Sequence, residues 1–220
     1  GGLYLVVTIN LGDSINFNGT IDQRKHHVIH NISPIILHHQ IMLIKKYTTD
    51  WIDQFLNIKR EIDKGLNGLS YRVEHIGSTS VPNLDSKDII DLDIVYDQPS
   101  DFARIKGQLI EIGYYHNGDQ GIEEREVFKR RPPFTHEVLD HITHHLYVCP
   151  ADSTALARHL LSRDLLRKNE WARLKYQSMK YEIAARVNQI KKQYAELKEL
   201  TVNDFIDSII AIEKTNAKHE

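Results

Sequence analysis

The segment Ile90 to Val95 reads Ile-Asp-Leu-Asp-Ile-Val, and it constrains the fold of the 220-residue chain more than any other. Side chains on a strand alternate between its two faces, so Ile90, Leu92 and Ile94 point one way and Asp91 and Asp93 the other. The apolar face has to be covered by another layer, which places the strand in a sheet with packed helices. On the other face, two carboxylates two residues apart repel each other unless something positive sits between them. Hard oxygen ligands of this kind suit Mg2+ or Mn2+.

The residues before this strand supply a complementary half. Tyr71 to Ile76 reads as a preceding strand, followed by the turn Gly77-Ser78-Thr79-Ser80. Glycine permits close approach of a ligand to the backbone or a positive φ. The hydroxyls and the turn's N–H groups are the components of a phosphate cradle. A phosphate held beside two metal-binding aspartates is the arrangement of nucleotidyl transfer, in which the metal clamps the attacking and leaving oxygens. Gly77-Ser78, twelve further residues, then Asp91-Leu92-Asp93 resembles the signature of the polymerase-beta-type nucleotidyltransferase superfamily. The fuller string Glu74-His75-Ile76-Gly77-Ser78-Thr79-Ser80-Val81-Pro82, followed by Ile89-Ile90-Asp91, resembles more narrowly the GrpB family. That is a little-characterised group of nucleotidyltransferase fold, also found fused to some bacterial dephospho-CoA kinases. The resemblance runs from Lys45 to about Lys198.

Around this motif the chain reads as α-β-β-α-β-β-β followed by helices, an α+β layout with a mixed sheet of nucleotidyltransferase type. Trp51, Phe55, Ile58, Ile62 and Leu66 form the apolar face of a first helix starting near Thr48, capped by Thr49 or Asp50, and Gly65 and Gly68 end it. These are core positions, not an aromatic binding platform. Ser100 is the expected cap of a second helix carrying Phe102, Ile105, Leu109 and Ile112, which Gly113 closes. Tyr114 to His116, the turn Asn117-Gly118-Asp119 and the segment up to Arg130 suggest a hairpin, and Thr143 to Cys149 returns as a strand. Beyond Asp152 all is helical: one helix capped by Asp152 or Ser153, a break at Asn169, a long helix from Glu170 to Leu200, and a last one capped by Thr201 or Asn203. The expected domains are an N-terminal extension over 1–40, a core over 41–150 and a helical region over 151–220 packed on that core. The extension, with a short strand from Leu3 to Ile9 and the pairs His26-His27 and His38-His39, lies outside the resemblance and reads as structural, not as a zinc site.

The formal net charge of −2 gives no global basic field for nucleic acid or a membrane surface. No apolar run approaches the ~20 residues of a membrane helix. The single Cys149 excludes an internal disulfide and fits a reducing interior. With no basic n-region at its start, the chain is expected to be cytoplasmic.

Two aspartates need a further ligand from a neighbouring strand. On the strand from Thr143 to Cys149, His145 and Tyr147 share a face. The resemblance implies a His-Leu-His-Val type of strand here, with His145 at the first histidine and Tyr147 replacing the second. His145 is the candidate third ligand or proton carrier, and Asp140 and Glu137 are outlying candidates for a carboxylate. A separate zinc site on His141, His144 and His145 is not expected. The resemblance also assigns Lys87, Lys129, Arg163, Arg167 and Lys180 as cations facing phosphates, alongside Gly77, Ser78 and Thr79. Arg163 and Arg167, four apart on a helix, share a face. Tyr176 and Lys180 match a family Tyr-x-x-x-Lys pairing, and Tyr194, Lys198 and Phe205-Ile206 keep the residue types of the family's closing pattern with extra residues inserted. Together these imply a nucleotidyltransferase that uses Mg2+ or Mn2+, with Asp91, Asp93 and His145 catalytic and metal-binding, a nucleoside triphosphate as donor and an unidentified acceptor. The alternative is a non-catalytic nucleotide- or CoA-type ligand binder on the same fold.

Overall fold

A computed structural model describes residues 42–216. The expected N-terminal extension, with its strand and paired histidines, lies outside the described residues. Helix α1 spans Asp50–Gly65. Trp51, Ile58, Ile62 and Leu66 on its predicted apolar face are buried. Thr49 occupies the capping position without a side-chain cap, and Thr48 Oγ1 instead accepts from the Asp50 N–H at 3.2 Å.

The sheet has five strands: β1 Arg72–Ile76, β2 Ile90–Tyr96, β3 Tyr114–His116, β4 Glu126–Arg130 and β5 His144–Pro150. Their order is β1-β2-β5-β4-β3. Only the β2–β5 pairing is parallel. A parallel neighbour requires a crossover, and the chain makes it through α2 (Pro99–Glu111) and the β3–β4 hairpin. The mixed sheet and its packed helices make the fold α+β. Ser100 does not cap α2: Gln98 takes that position and Pro99 opens the helix, since proline lacks the N–H that a first turn would leave unpaired.

The sheet's apolar face carries Ile90, Leu92, Ile94, Leu146, Val148 and Phe128 against α1 and α2. A second core gathers Val81 and Leu84 of the loop after β1 with residues of three C-terminal helices, α3 Thr154–Lys168, α4 Glu170–Arg186 and α5 Lys191–Asn216. The Gly-Ser loop is thereby held between the sheet and the helices. Ser153 caps α3, accepting from the Leu156 N–H at 3.2 Å. Asn169 ends α3 and caps α4 through Oδ1, which accepts from the Ala172 N–H at 3.1 Å.

The long helix from 170 to 200 is not continuous. The chain turns between α4 and α5, with Asn188 and Gln189 at φ 49° and 64°. Neither Thr201 nor Asn203 starts a helix, because α5 runs through both. Thr201 Oγ1 donates to the Leu197 carbonyl at 2.8 Å within the helix, and Val202 is buried. Trp171, expected on the apolar stripe, is 64% exposed.

Candidate active site

Register fixes which side chains meet. Asp91 lies opposite Ile76 of β1 and His145 of β5, and Asp93 opposite Glu74 and Tyr147. All six project from the sheet face opposite the α1–α2 core. Each aspartate is held through one oxygen by a histidine from another element. His145 Nδ1 donates to Asp91 Oδ1 at 2.8 Å, and His159 Nδ1 of α3 donates to Asp93 Oδ2 at 2.9 Å. Carboxylates only accept, so in each case the proton is on Nδ1. Asp93 is fully buried, and its Oδ1 has no hydrogen-bond partner among the described residues. A buried carboxylate oxygen without a donor is costly unless a cation satisfies it, so the aspartate pair fits a divalent ion. Among the described residues, however, no three His, Cys, Asp or Glu side chains stand in metal-holding geometry. His145 therefore serves here as a partner of Asp91, and its Nε2 has no hydrogen-bond partner among the described residues.

Gly77 has φ +69°, and a Cβ there would meet Asp91 Oδ2 at 2.4 Å. The Gly-Ser turn thus runs against the aspartate strand in a way only glycine permits. Gly77, Ser78, Ser86, Lys87, Asp91 and His145 line a cleft of about 240 Å3. Tyr176 and Lys180 of α4, Tyr194 and Lys198 of α5 and Tyr147 of β5 complete its wall. Ser78 Oγ donates across it to Tyr176 Oη at 3.4 Å.

Lys87 lies 5.2 Å from the Tyr194 ring centroid, and Lys180 and Lys198 flank the Tyr176 ring at 4.8 and 5.9 Å. None of the three is ion-paired with a carboxylate among the described residues. Lys180 is 2% exposed and donates to the Asp85 carbonyl. Burial, with Lys198 and Lys87 nearby, holds its ammonium well below the usual lysine range, against a smaller opposing pull from Asp85. Burial and Lys198 also lower Lys87. Three lysines that have no carboxylate partner among the described residues thus line one cleft with the Gly77-Ser78 turn, an arrangement that can receive an anion.

The other expected residues are placed elsewhere. Thr79 is buried, contacting His75 Nε2 at 3.1 Å and donating to the Ile89 carbonyl at 3.4 Å. Arg163 Nη1 donates to Glu74 at 2.8 Å and to the His75 carbonyl at 3.2 Å. Arg167 grips the Ser80 carbonyl from Nε and Nη2 at 3.0 and 2.8 Å. These arginines fasten the loop and β1 to α3. Lys129 is exposed on β4 and does not line the cleft. Asp140 accepts from Arg130 at 2.6 Å, which holds its carboxyl below the usual range, and Glu137 is exposed away from the cleft. His75 stacks on Phe55, with ring centroids 4.5 Å apart, and burial lowers its pKa to about 4. Burial pushes the Tyr147 phenol up, and the negative charge of Asp91 and Asp93 adds to the shift. It remains a neutral hydroxyl.

Residues 41–210 match the family model described as GrpB protein. The chain belongs to the GrpB family. Its relatives include UPF0157 protein YqkA of Bacillus subtilis, 29% identical over 70% of this chain and 43% of that protein, and a UPF0157 protein of Pseudomonas aeruginosa, 34% identical over 63% and 55%. The chain thus spans about half the length of these two. A UPF0157 protein of Halalkalibacterium halodurans is 27% identical over 88% of this chain and 94% of its own length. The crystal structure of conserved protein GrpB from Enterococcus faecalis superposes with a TM-score of 0.63 at 26% identity, covering 77% of this chain and 98% of that one. Two site features of this GrpB chain went unread in the sequence. One is His159, far from the motif, which only the packing of α3 brings to Asp93. The other is that Tyr176–Lys180 and Tyr194–Lys198 are the same i, i+4 pair repeated eighteen residues on, a signal that both pairs serve one cleft.

Proposed function

We propose that this GrpB protein binds a nucleoside triphosphate in the cleft with Mg2+ or Mn2+ and transfers the nucleoside monophosphate to an acceptor. The observation that carries the proposal is the orphaned Oδ1 of Asp93 beside Asp91, on the sheet face that borders a cleft lined by three lysines without a carboxylate partner among the described residues. Asp91 and Asp93 would hold the ion, which when bound neutralises phosphoryl charge as a Lewis acid. The Gly77-Ser78 turn and Lys87, Lys180 and Lys198 receive the β- and γ-phosphates through backbone N–H groups and ammonium charge. His145, its proton held on Nδ1 by Asp91, has Nε2 available to take the proton of the attacking hydroxyl. A second reading, ligand binding without turnover, draws on the lack of a three-ligand cluster among the described residues.

Thermal-shift measurements with each nucleoside triphosphate and with CoA, with and without Mg2+ or Mn2+, separate the two. Ligand at about 100 times its dissociation constant stabilises by about 2.7 kcal/mol, a rise of a few degrees. The transferase reading requires a metal-dependent shift for a triphosphate that Asp91→Asn removes, and release of pyrophosphate when an acceptor is supplied. A shift indifferent to metal favours the binding protein, and no shift for any triphosphate or for CoA discards both.

A further inference from the structure

Asp93 sits in the middle strand of β1-β2-β5 with 0% exposure, so no solvent orients its carboxylate. The side chains opposite it on this face do not do so either. Glu74 is taken by Arg163 at 2.8 Å, and Tyr147 makes no hydrogen bond to it. His159 is the one donor to Asp93 among the described residues, at 2.9 Å. Its place is set by the helix. His159 and Arg163 are one turn apart on α3, and they grip Asp93 and Glu74, which face each other across β1 and β2. The Ser153 cap fixes where that helix begins. His159 also lines a cavity of about 150 Å3 that shares Gly77, Ser78, Tyr176 and Lys198 with the cleft.

We infer that His159 is a positioning residue: by donating from Nδ1 to Oδ2 of Asp93 it fixes the buried carboxylate in the rotation that leaves Oδ1 without a protein donor, as a ligand oxygen for a divalent cation. The inference rests on the metal-dependent reading above. It makes α3, not only the strand, part of the metal centre. Groups that orient a ligand in this way set its affinity, and their loss costs about 10- to 100-fold.

The test measures Mn2+ binding by electron paramagnetic resonance of the free ion, on the full chain and on His159→Asn and His159→Gln, with circular dichroism melting alongside. The amide nitrogen of asparagine falls where imidazole Nδ1 stands, whereas that of glutamine lies one bond further out. Glutamine is expected to weaken Mn2+ binding about tenfold or more, and asparagine to keep it within about threefold of wild type. Wild-type affinity in His159→Gln, or equal weakening in both variants, overturns the inference while leaving the metal reading intact. A wild-type chain that binds no Mn2+ overturns the metal reading and this inference with it.

Discussion

At Gly77 the Gly-Ser turn and the aspartate strand touch, and one methyl group decides whether they can. Gly77→Ala would place a carbon 2.4 Å from Asp91 Oδ2 in a backbone conformation of φ +69°. With ψ −173°, this backbone lies in a region essentially confined to glycine, which costs about 1–3 kcal/mol for another residue. Urea unfolding should show at least that loss, and, on the proposed function, titration should show Mn2+ binding weakened, because the displaced atom belongs to Asp91. Asp88 has a structural role here: it accepts from Trp51 Nε1 at 2.8 Å and from Lys45 at 2.6 Å. His75 gives a prediction with a sign. Its folded pKa is about 4 because burial disfavours the imidazolium, while an unfolded histidine protonates near pH 6.5. Between those values the unfolded chain binds the extra proton. The contribution of His75 to stability is therefore full above about pH 6.5 and falls as the pH is lowered towards 4, by at most about 1.4 kcal/mol per pH unit. Unfolding midpoints of wild type and His75→Gln across that range should converge towards pH 4, and ring resonances of His75 should not titrate above about pH 5.

Among the elements, α4 and α5 give the cleft its charge. Each contributes a Tyr-x-x-x-Lys pair, and the turn at Asn188-Gln189 folds the second pair back onto the first. Gln189 Oε1 accepts from the Leu43 N–H at 2.9 Å, which pins that turn to the start of the described chain. Lys180 shows what the cleft costs in stability. A buried ammonium with a carbonyl and a ring for company is poorly solvated. Lys180→Met should leave the melting temperature unchanged or raised, as apolar replacements of buried charges often do. It should also weaken triphosphate binding about tenfold or more, the worth of a hydrogen bond from a charged group. The same burial sets a pH trend. The free protein holds Lys180 below the ordinary lysine range, and a bound polyphosphate raises it again, so binding takes up protons and affinity falls as pH rises. Calorimetry in two buffers of different ionisation enthalpy would detect that uptake, and its absence in Lys180→Met would assign it.

Across the whole molecule the cleft belongs to neither half. Gly77, Asp91, His145 and Tyr147 come from the sheet and its loop, and Tyr176, Lys180, Tyr194 and Lys198 from the helices. Across the mouth, Ser78 Oγ reaches Tyr176 Oη in a long contact. Behind it, Asp85 accepts from the Tyr47 N–H, Lys46 and Tyr181, and Arg167 holds Ser80, so the loop is fixed to both layers. A triphosphate bridging lysines on α4 and α5 to the turn should therefore slow hydrogen exchange in both helices and in residues 77–80 together. Protection confined to the loop would mean that the lysines do not meet the ligand. No helix among the described residues is long and apolar enough to cross a membrane.

The sequence by itself determined the strand of alternating aspartates, the Gly-Ser turn ahead of it and the α-β-β-α-β-β-β order, because period-two patterning and turn chemistry act over neighbouring residues. His145 was legible for the same reason: strand alternation placed it on one face with Tyr147. Only the tertiary structure decided which charges face the cleft. Arg163 and Arg167 have the composition of phosphate ligands, yet their donors are spent on Glu74, the His75 carbonyl and the Ser80 carbonyl, while Lys198 and Tyr194 enter the cleft from a helix whose start the sequence pattern misplaced. Helical periodicity through residues 170–200 gives no sign of the turn at 188–189, where neither glycine nor proline stands. His159 meets Asp93 sixty-six residues away. Local patterns set each element's faces, but which face meets which depends on how the layers pack, and that packing brings together residues distant in the chain.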